Sequence, residues 1–80
     1  MTREAVAASL SGNGWLQKTD NQFARRISFP GTNRLYSANL GADAVTVWDG
    51  DVELAHVAYA DLASSANPAA SIERAAGLNK

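Results

Sequence analysis

Between residues 22 and 59 the chain alternates apolar and polar side chains in four runs, QFARRISF, RLYSANL, AVTVW and VELAHVAY. The connectors between them are PGTN, GA or GAD, and DG. A period of two marks strands with one buried face, and connectors this short join antiparallel neighbours. The pattern predicts a four-stranded antiparallel meander. A two-residue turn at Asp49-Gly50 sets Trp48 against Asp51, Val47 against Val52 and Val45 against Leu54. A turn at Gly41-Ala42 sets Ala38 against Val45 and Tyr36 against Val47, and the PGTN loop sets Ile27 against Tyr36 and Phe23 against Leu40. These registers agree on an inner face of Phe23, Ile27, Phe29, Tyr36, Ala38, Leu40, Val45, Val47, Val52, Leu54, His56 and Ala58. The outer face then carries Ala24, Arg26, Ser28, Leu35, Ser37, Asn39, Thr46, Trp48, Glu53, Ala55, Val57 and Tyr59. Arg25 is the misfit of the inner face. It sits either at a bulge or edge from which its head reaches water, or in a pair with a carboxylate.

Helical signals flank the strands. Thr2 is a suitable N-cap, Glu4 complements the helix dipole, and Val6 and Leu10 share a face, so a helix is predicted over about residues 3–11. Gly12 supplies a left-handed stop, and Trp15 and Leu16 are expected to fold back beneath the helix. Near the C-terminus, Asn67-Pro68 reads as N-cap and first helical residue, Ala69, Ile72 and Ala76 as the apolar stripe, and Gly77 as the stop. Asp61 is expected to cap an earlier helical turn through Ser65, which could join the last helix at a kink at Pro68. The expected fold is α+β, in the order α-β-β-β-β-α, with both helices on the inner face.

At 80 residues the chain makes a single domain, 1–80, with a small core. It contains no cysteine and one histidine, which excludes disulfides, thiolate zinc sites and His-rich metal clusters. No apolar run is long enough to span a bilayer, and the N-terminus is too weakly apolar and basic for a secretory signal, so a cytoplasmic location is expected. The net charge of −1 is unevenly spread. Arg3, Lys18, Arg25, Arg26 and Arg34 outnumber Glu4 and Asp20 in the first 34 residues, whereas residues 35–72 hold Asp43, Asp49, Asp51, Glu53 and Asp61 with no Lys or Arg.

Enzyme signatures are missing. There is no phosphate-binding G-x-x-x-x-G-K-[ST], no G-x-G-x-x-G opening a helix, no H-E-x-x-H and no G-x-S-x-G. His56 is expected to be a hydrogen-bonded core residue, and the Asp49-Gly50-Asp51 spacing is explained by the turn. No enzymatic activity, cofactor or metal is therefore expected. Three arginines on a net acidic chain make a weak phosphate footprint, so direct nucleic-acid binding is not expected either. Trp48 and Tyr59, with the carboxylates Asp43, Asp49, Asp51 and Glu53, compose instead a candidate protein-binding edge that would suit a basic partner surface.

The stretches SGNGWLQKTDNQFARRISFPGTNRLYSANL and AVTVWDGDVELAHVAYADL, set between two short Ala-rich helices, resemble a type I-C anti-CRISPR protein of phage origin. The resemblance implies stoichiometric, non-enzymatic inhibition of a Cascade surveillance complex in the cytoplasm of a bacterial host, through contact with one or more Cas subunits. The alternative is a small homodimeric structural or regulatory module, including a toxin-antitoxin component, that uses the outer sheet face for self-association.

Overall fold

The computed structural model describes residues 1–78, apart from the side chain of Phe29. The expected inward placement of Phe29 lies outside the described residues. Helix α1 (Arg3–Gly12) is followed by strands β1 (Leu16–Thr19), β2 (Gln22–Phe29), β3 (Thr32–Leu40), β4 (Ala44–Asp49) and β5 (Val52–Ala58), a 3₁₀ turn (Tyr59–Leu62) and helix α2 (Pro68–Ala75). The strands form one antiparallel sheet in chain order. The class is α+β, as the pattern predicted, but the sheet has five strands rather than four. The additional strand, LQKT, has four exposed side chains and so lacks the alternation that marks a half-buried strand. It is an edge strand folded back on β2 at Asp20–Asn21. Leu16, expected beneath α1, is instead 67% exposed on this strand, while Trp15 is buried.

Both helices are set by their ends. The Thr2 hydroxyl accepts the Ala5 N–H at 3.1 Å, and Asn67 Oδ1 accepts that of Ala70 at 3.2 Å, with Pro68 at the first position of α2. Gly77 (φ 75°) ends α2 with its N–H on the Arg74 carbonyl and the Leu78 N–H on that of Glu73. That pair of bonds is a Schellman motif, and it turns Leu78 back into the core. Helix α1 runs through Gly12, so its left-handed residue is Gly14 (φ 93°) rather than Gly12. Asp61 lies inside the 3₁₀ turn and does not start a helix that merges with α2.

Two registers differ from expectation by two residues. The β2–β3 connection is the two-residue turn Pro30-Gly31 (φ 85° at Gly31), which pairs Phe29 with Thr32 and Phe23 with Ala38. Strand β3 reaches β4 through Gly41–Asp43, closed by the Gly41 N–H on the Ala44 carbonyl at 2.8 Å, so Leu40 pairs with Val45. A shift by an even number preserves every facing. Phe23, Tyr36, Ala38, Leu40, Val45 and Val47 therefore do line the core, with Val6, Leu10, Trp15, Tyr59, Leu62, Ala69, Ile72 and Leu78.

The last hairpin changes the facing. Its turn is Gly50-Asp51 rather than Asp49-Gly50, and Asp49 stays in β4 opposite Val52. Gly50 has φ 63° and no non-glycine residue among the described residues has positive φ, as in a type II′ turn, where only the first central residue needs it. Trp48 pairs with Glu53, but Val47 pairs with Ala55, leaving Leu54 as the extra residue of a bulge. That one residue reverses the facing of the rest of β5. Ala55 and Val57 pack against the core, and His56, expected inside, is exposed beside Thr46. The exchange keeps an imidazole out of the interior and brings in an isopropyl group, which is favourable on both counts. Val52, on the inner side but at the end of the sheet, is 57% exposed.

Arg25 takes the paired arrangement. Its guanidinium donates to Glu73 Oε1 of α2 at 2.7 Å, with 33% of the arginine side chain and 14% of the glutamate side chain exposed. The Trp15 indole N–H reaches the other carboxylate oxygen at 3.4 Å. One carboxylate thus ties α2 to β2 and to the chain leaving α1.

Candidate functional site

With both helices on the inner side, the opposite face of the sheet has no element over it among the described residues. Its side chains fall in rows set by strand register. One row runs Leu16, Ala24, Ser37, Trp48 and Glu53 across all five strands. The next row towards the Gly50-Asp51 turn holds Arg26 and Leu35. On the other side lie Gln22, Asn39, Thr46 and His56. Trp48 is half-buried, Leu35 is 49% exposed, and Arg26 and Glu53 are exposed. Ala24 is buried although it belongs to this open face, because its methyl lies below the longer side chains around it. The middle of the face is therefore a low floor of Ala24 and Ser37 between Trp48 on one side and Leu16 on the other.

The structure brings only part of the expected edge together. Trp48 and Glu53 are direct cross-strand neighbours, and Asp51 follows in the adjoining turn. Neither Glu53 nor Asp51 has an ion-pair partner among the described residues. Asp49 points to the inner side and accepts from Arg34 at 2.8 Å, beside an open cleft of about 300 Å³ that also touches Tyr36, Leu54 and Leu78. Asp43 lies in the β3–β4 loop at the opposite end of β4, about 17 Å from Trp48 at the usual rise per strand residue.

Tyr59 leaves the outer face altogether. The bulge in β5 and the 3₁₀ turn carry its ring into the core, where its hydroxyl donates to the Gly41 carbonyl at 2.7 Å. Burial pushes its phenol above the usual 10.0; Arg3 opposes that shift, and Asp43 and Glu4 add to it. The residue locks the β3–β4 loop and has no ring surface to offer a partner.

His56 Nδ1 is 2.9 Å from the Thr46 hydroxyl, on the wall of an open depression of about 690 Å³ that Trp48, Asn39 and Gln22 also line. No carboxylate approaches the imidazole within ion-pair distance among the described residues, and no three His, Asp or Glu side chains there converge on a point. This arrangement offers hydrogen-bonding groups and an aromatic surface rather than an oriented nucleophile and base.

Leu16 is the member of the site that sequence reasoning missed, since its strand was not recognised. The signal was Asp20-Asn21, a turn-forming pair between LQKT and QFAR. No helix among the described residues is long and apolar enough to cross a membrane. No protein-family model, curated protein or solved structure matches the chain.

Proposed function

We propose that this protein is a non-enzymatic binding protein that docks the Trp48 side of its sheet on a basic protein surface. One observation carries the reading: a half-buried tryptophan stands on an uncovered sheet face next to exposed Leu35 and the carboxylates of Glu53 and Asp51, which have no ion-pair partner among the described residues. A tryptophan among small and apolar neighbours with a charged rim has the composition of an interface centre. Carboxylates in this setting can take the positions of nucleic-acid phosphates on a Lys/Arg-rich surface. Together with the resemblance to type I-C anti-CRISPR proteins, this favours a Cas subunit of Cascade as the partner, and inhibition of a bacterial type I CRISPR-Cas system by stoichiometric occupation. Asp49, held by Arg34, Asp43, at the far end of β4, and buried Tyr59 are not part of the proposed contact.

The test uses purified type I-C Cascade with its guide RNA. The wild-type chain should co-elute with it in a fixed ratio and reduce its occupancy of target DNA. The Asp51→Lys, Glu53→Lys variant should bind about tenfold or more weakly, chiefly through a slower association rate, because rim charges mostly steer encounter. Raised salt should slow wild-type association in the same way. No co-elution of the wild-type chain, or unchanged association of the variant, would refute the proposal.

A further inference from the structure

The uncovered face is self-complementary. It lies on a five-stranded sheet whose middle strand is β3, and its features are unequal on the two sides of that strand. On the β4–β5 side are the large ring of Trp48 and the carboxylate of Glu53, with Asp51 in the adjoining turn. On the β1–β2 side are the small, buried Ala24 and the exposed guanidinium of Arg26. Arg26 has no ion-pair partner among the described residues.

We infer that in the absence of a partner this face is closed by a second copy of the chain, with a two-fold axis in the interface parallel to β3. Such an axis lays β4 of each copy over β2 of the other. The row Leu16, Ala24, Ser37, Trp48, Glu53 then meets itself reversed, so each Trp48 ring lies over the other copy's Ala24. Arg26 comes over the other copy's Gly50-Asp51 turn. Glu53 of that copy is one strand and one row away, about 5 Å and 7 Å in the plane, which an arginine side chain spans. Every carboxylate of the face thus opposes the side that carries Arg26 and none opposes another carboxylate. The other in-plane axis, perpendicular to the strands through the same row, would stack Glu53 on Glu53 and Trp48 on Trp48, and is disfavoured for that reason.

Five strands spaced about 4.8 Å apart make a face about 24 Å wide, and five or six residues of each make it about 18 Å long. The contact is at the small end of specific interfaces, so the dimer should be weak and reversible. The inference rests on the same face as the proposed function, and it makes self-association and partner binding mutually exclusive.

Sedimentation equilibrium of the chain alone separates the two. The weight-average mass should rise with concentration from 8.4 kDa towards twice that value. Arg26→Glu should weaken the association about tenfold or more by setting like charges together, and so should Asp51→Arg, Glu53→Arg. The triple variant Arg26→Glu, Asp51→Arg, Glu53→Arg should recover most of it, which a merely destabilised fold would not do; circular dichroism checks each variant's folding. A wild-type chain that stays monomeric to 1 mM, at roughly the weakest affinity a specific contact shows, overturns the inference without bearing on Cascade binding. So does a dimer that Arg26→Glu leaves unchanged, or a triple variant that stays monomeric.

Discussion

Replacing Glu73 with alanine removes a carboxylate that ties α2 to β2 and to the chain leaving α1. In the native protein its carboxylate takes a 2.7 Å bond from Arg25 and a longer one, 3.4 Å, from the Trp15 indole. A fully exposed pair is worth about 0–1 kcal/mol, and breaking a fully buried one costs about 3–5 kcal/mol. With 33% and 14% of the two side chains exposed, this pair lies between those limits. Losing it should cost about 2 kcal/mol, with the long indole bond contributing only a small part. For a chain of this size that corresponds to a fall of about 12 °C in melting temperature. Urea unfolding followed by tryptophan fluorescence measures the loss, and the double-mutant cycle with Arg25→Ala isolates the coupling. Replacing Arg25 and Glu73 together by methionine should recover much of the stability, because an apolar pair leaves no half-buried charge behind. A loss below about 0.5 kcal/mol for Glu73→Ala, the range of ordinary surface substitutions, would refute the assignment of this carboxylate as a structural tie.

Gly50→Val should destabilise the fold by about 1–2 kcal/mol in a thermal melt, because a β-branched residue resists φ 63°, although a Cβ there would meet no atom. Tyr59→Phe should cost about 1 kcal/mol for the lost bond to the Gly41 carbonyl. Because burial raises the Tyr59 phenol above 10.0, its contribution is present below that pH and is lost as pH rises through the higher folded value. Wild-type stability should therefore fall more steeply on the alkaline side than that of Tyr59→Phe, as urea titrations at several pH values would show.

Much of the fold was legible because alternation is insensitive to even errors in register. The pattern places Pro30-Gly31 within a longer loop and makes the β3–β4 connection tighter than it is, yet Phe23, Ala38, Val45 and Val47 face the core either way. The bulge at Leu54 was not legible, since it shifts β5 by one residue and local composition does not mark it. VELAHVA reads equally well in either parity: Leu54 packs against the core in both, Ala55 and Val57 take the inward places read for His56 and Ala58, and only His56 argues for the observed choice. The misplacement of Tyr59 followed from the same missing residue. Glu73 could not be paired with Arg25 from sequence because 48 positions separate them. In the candidate site, alternation placed Trp48 and Glu53 on the outer face although it sets Trp48 opposite Asp51 rather than Glu53, and β1 gave no such guide, since its four exposed side chains left Leu16 no pattern to stand out from.

If Trp48 on the open face anchors the proposed partner, its loss shows first in the dissociation rate of Trp48→Ala from immobilised type I-C Cascade, compared with the wild-type rate. Because Trp48 is outside the buried core, the variant should stay folded by circular dichroism. A buried aromatic anchor is worth about 2 kcal/mol or more, so its dissociation should be about thirtyfold faster, with association little changed. A folded Trp48→Ala protein that leaves Cascade at the wild-type rate would show that the Trp48 ring is not the anchor.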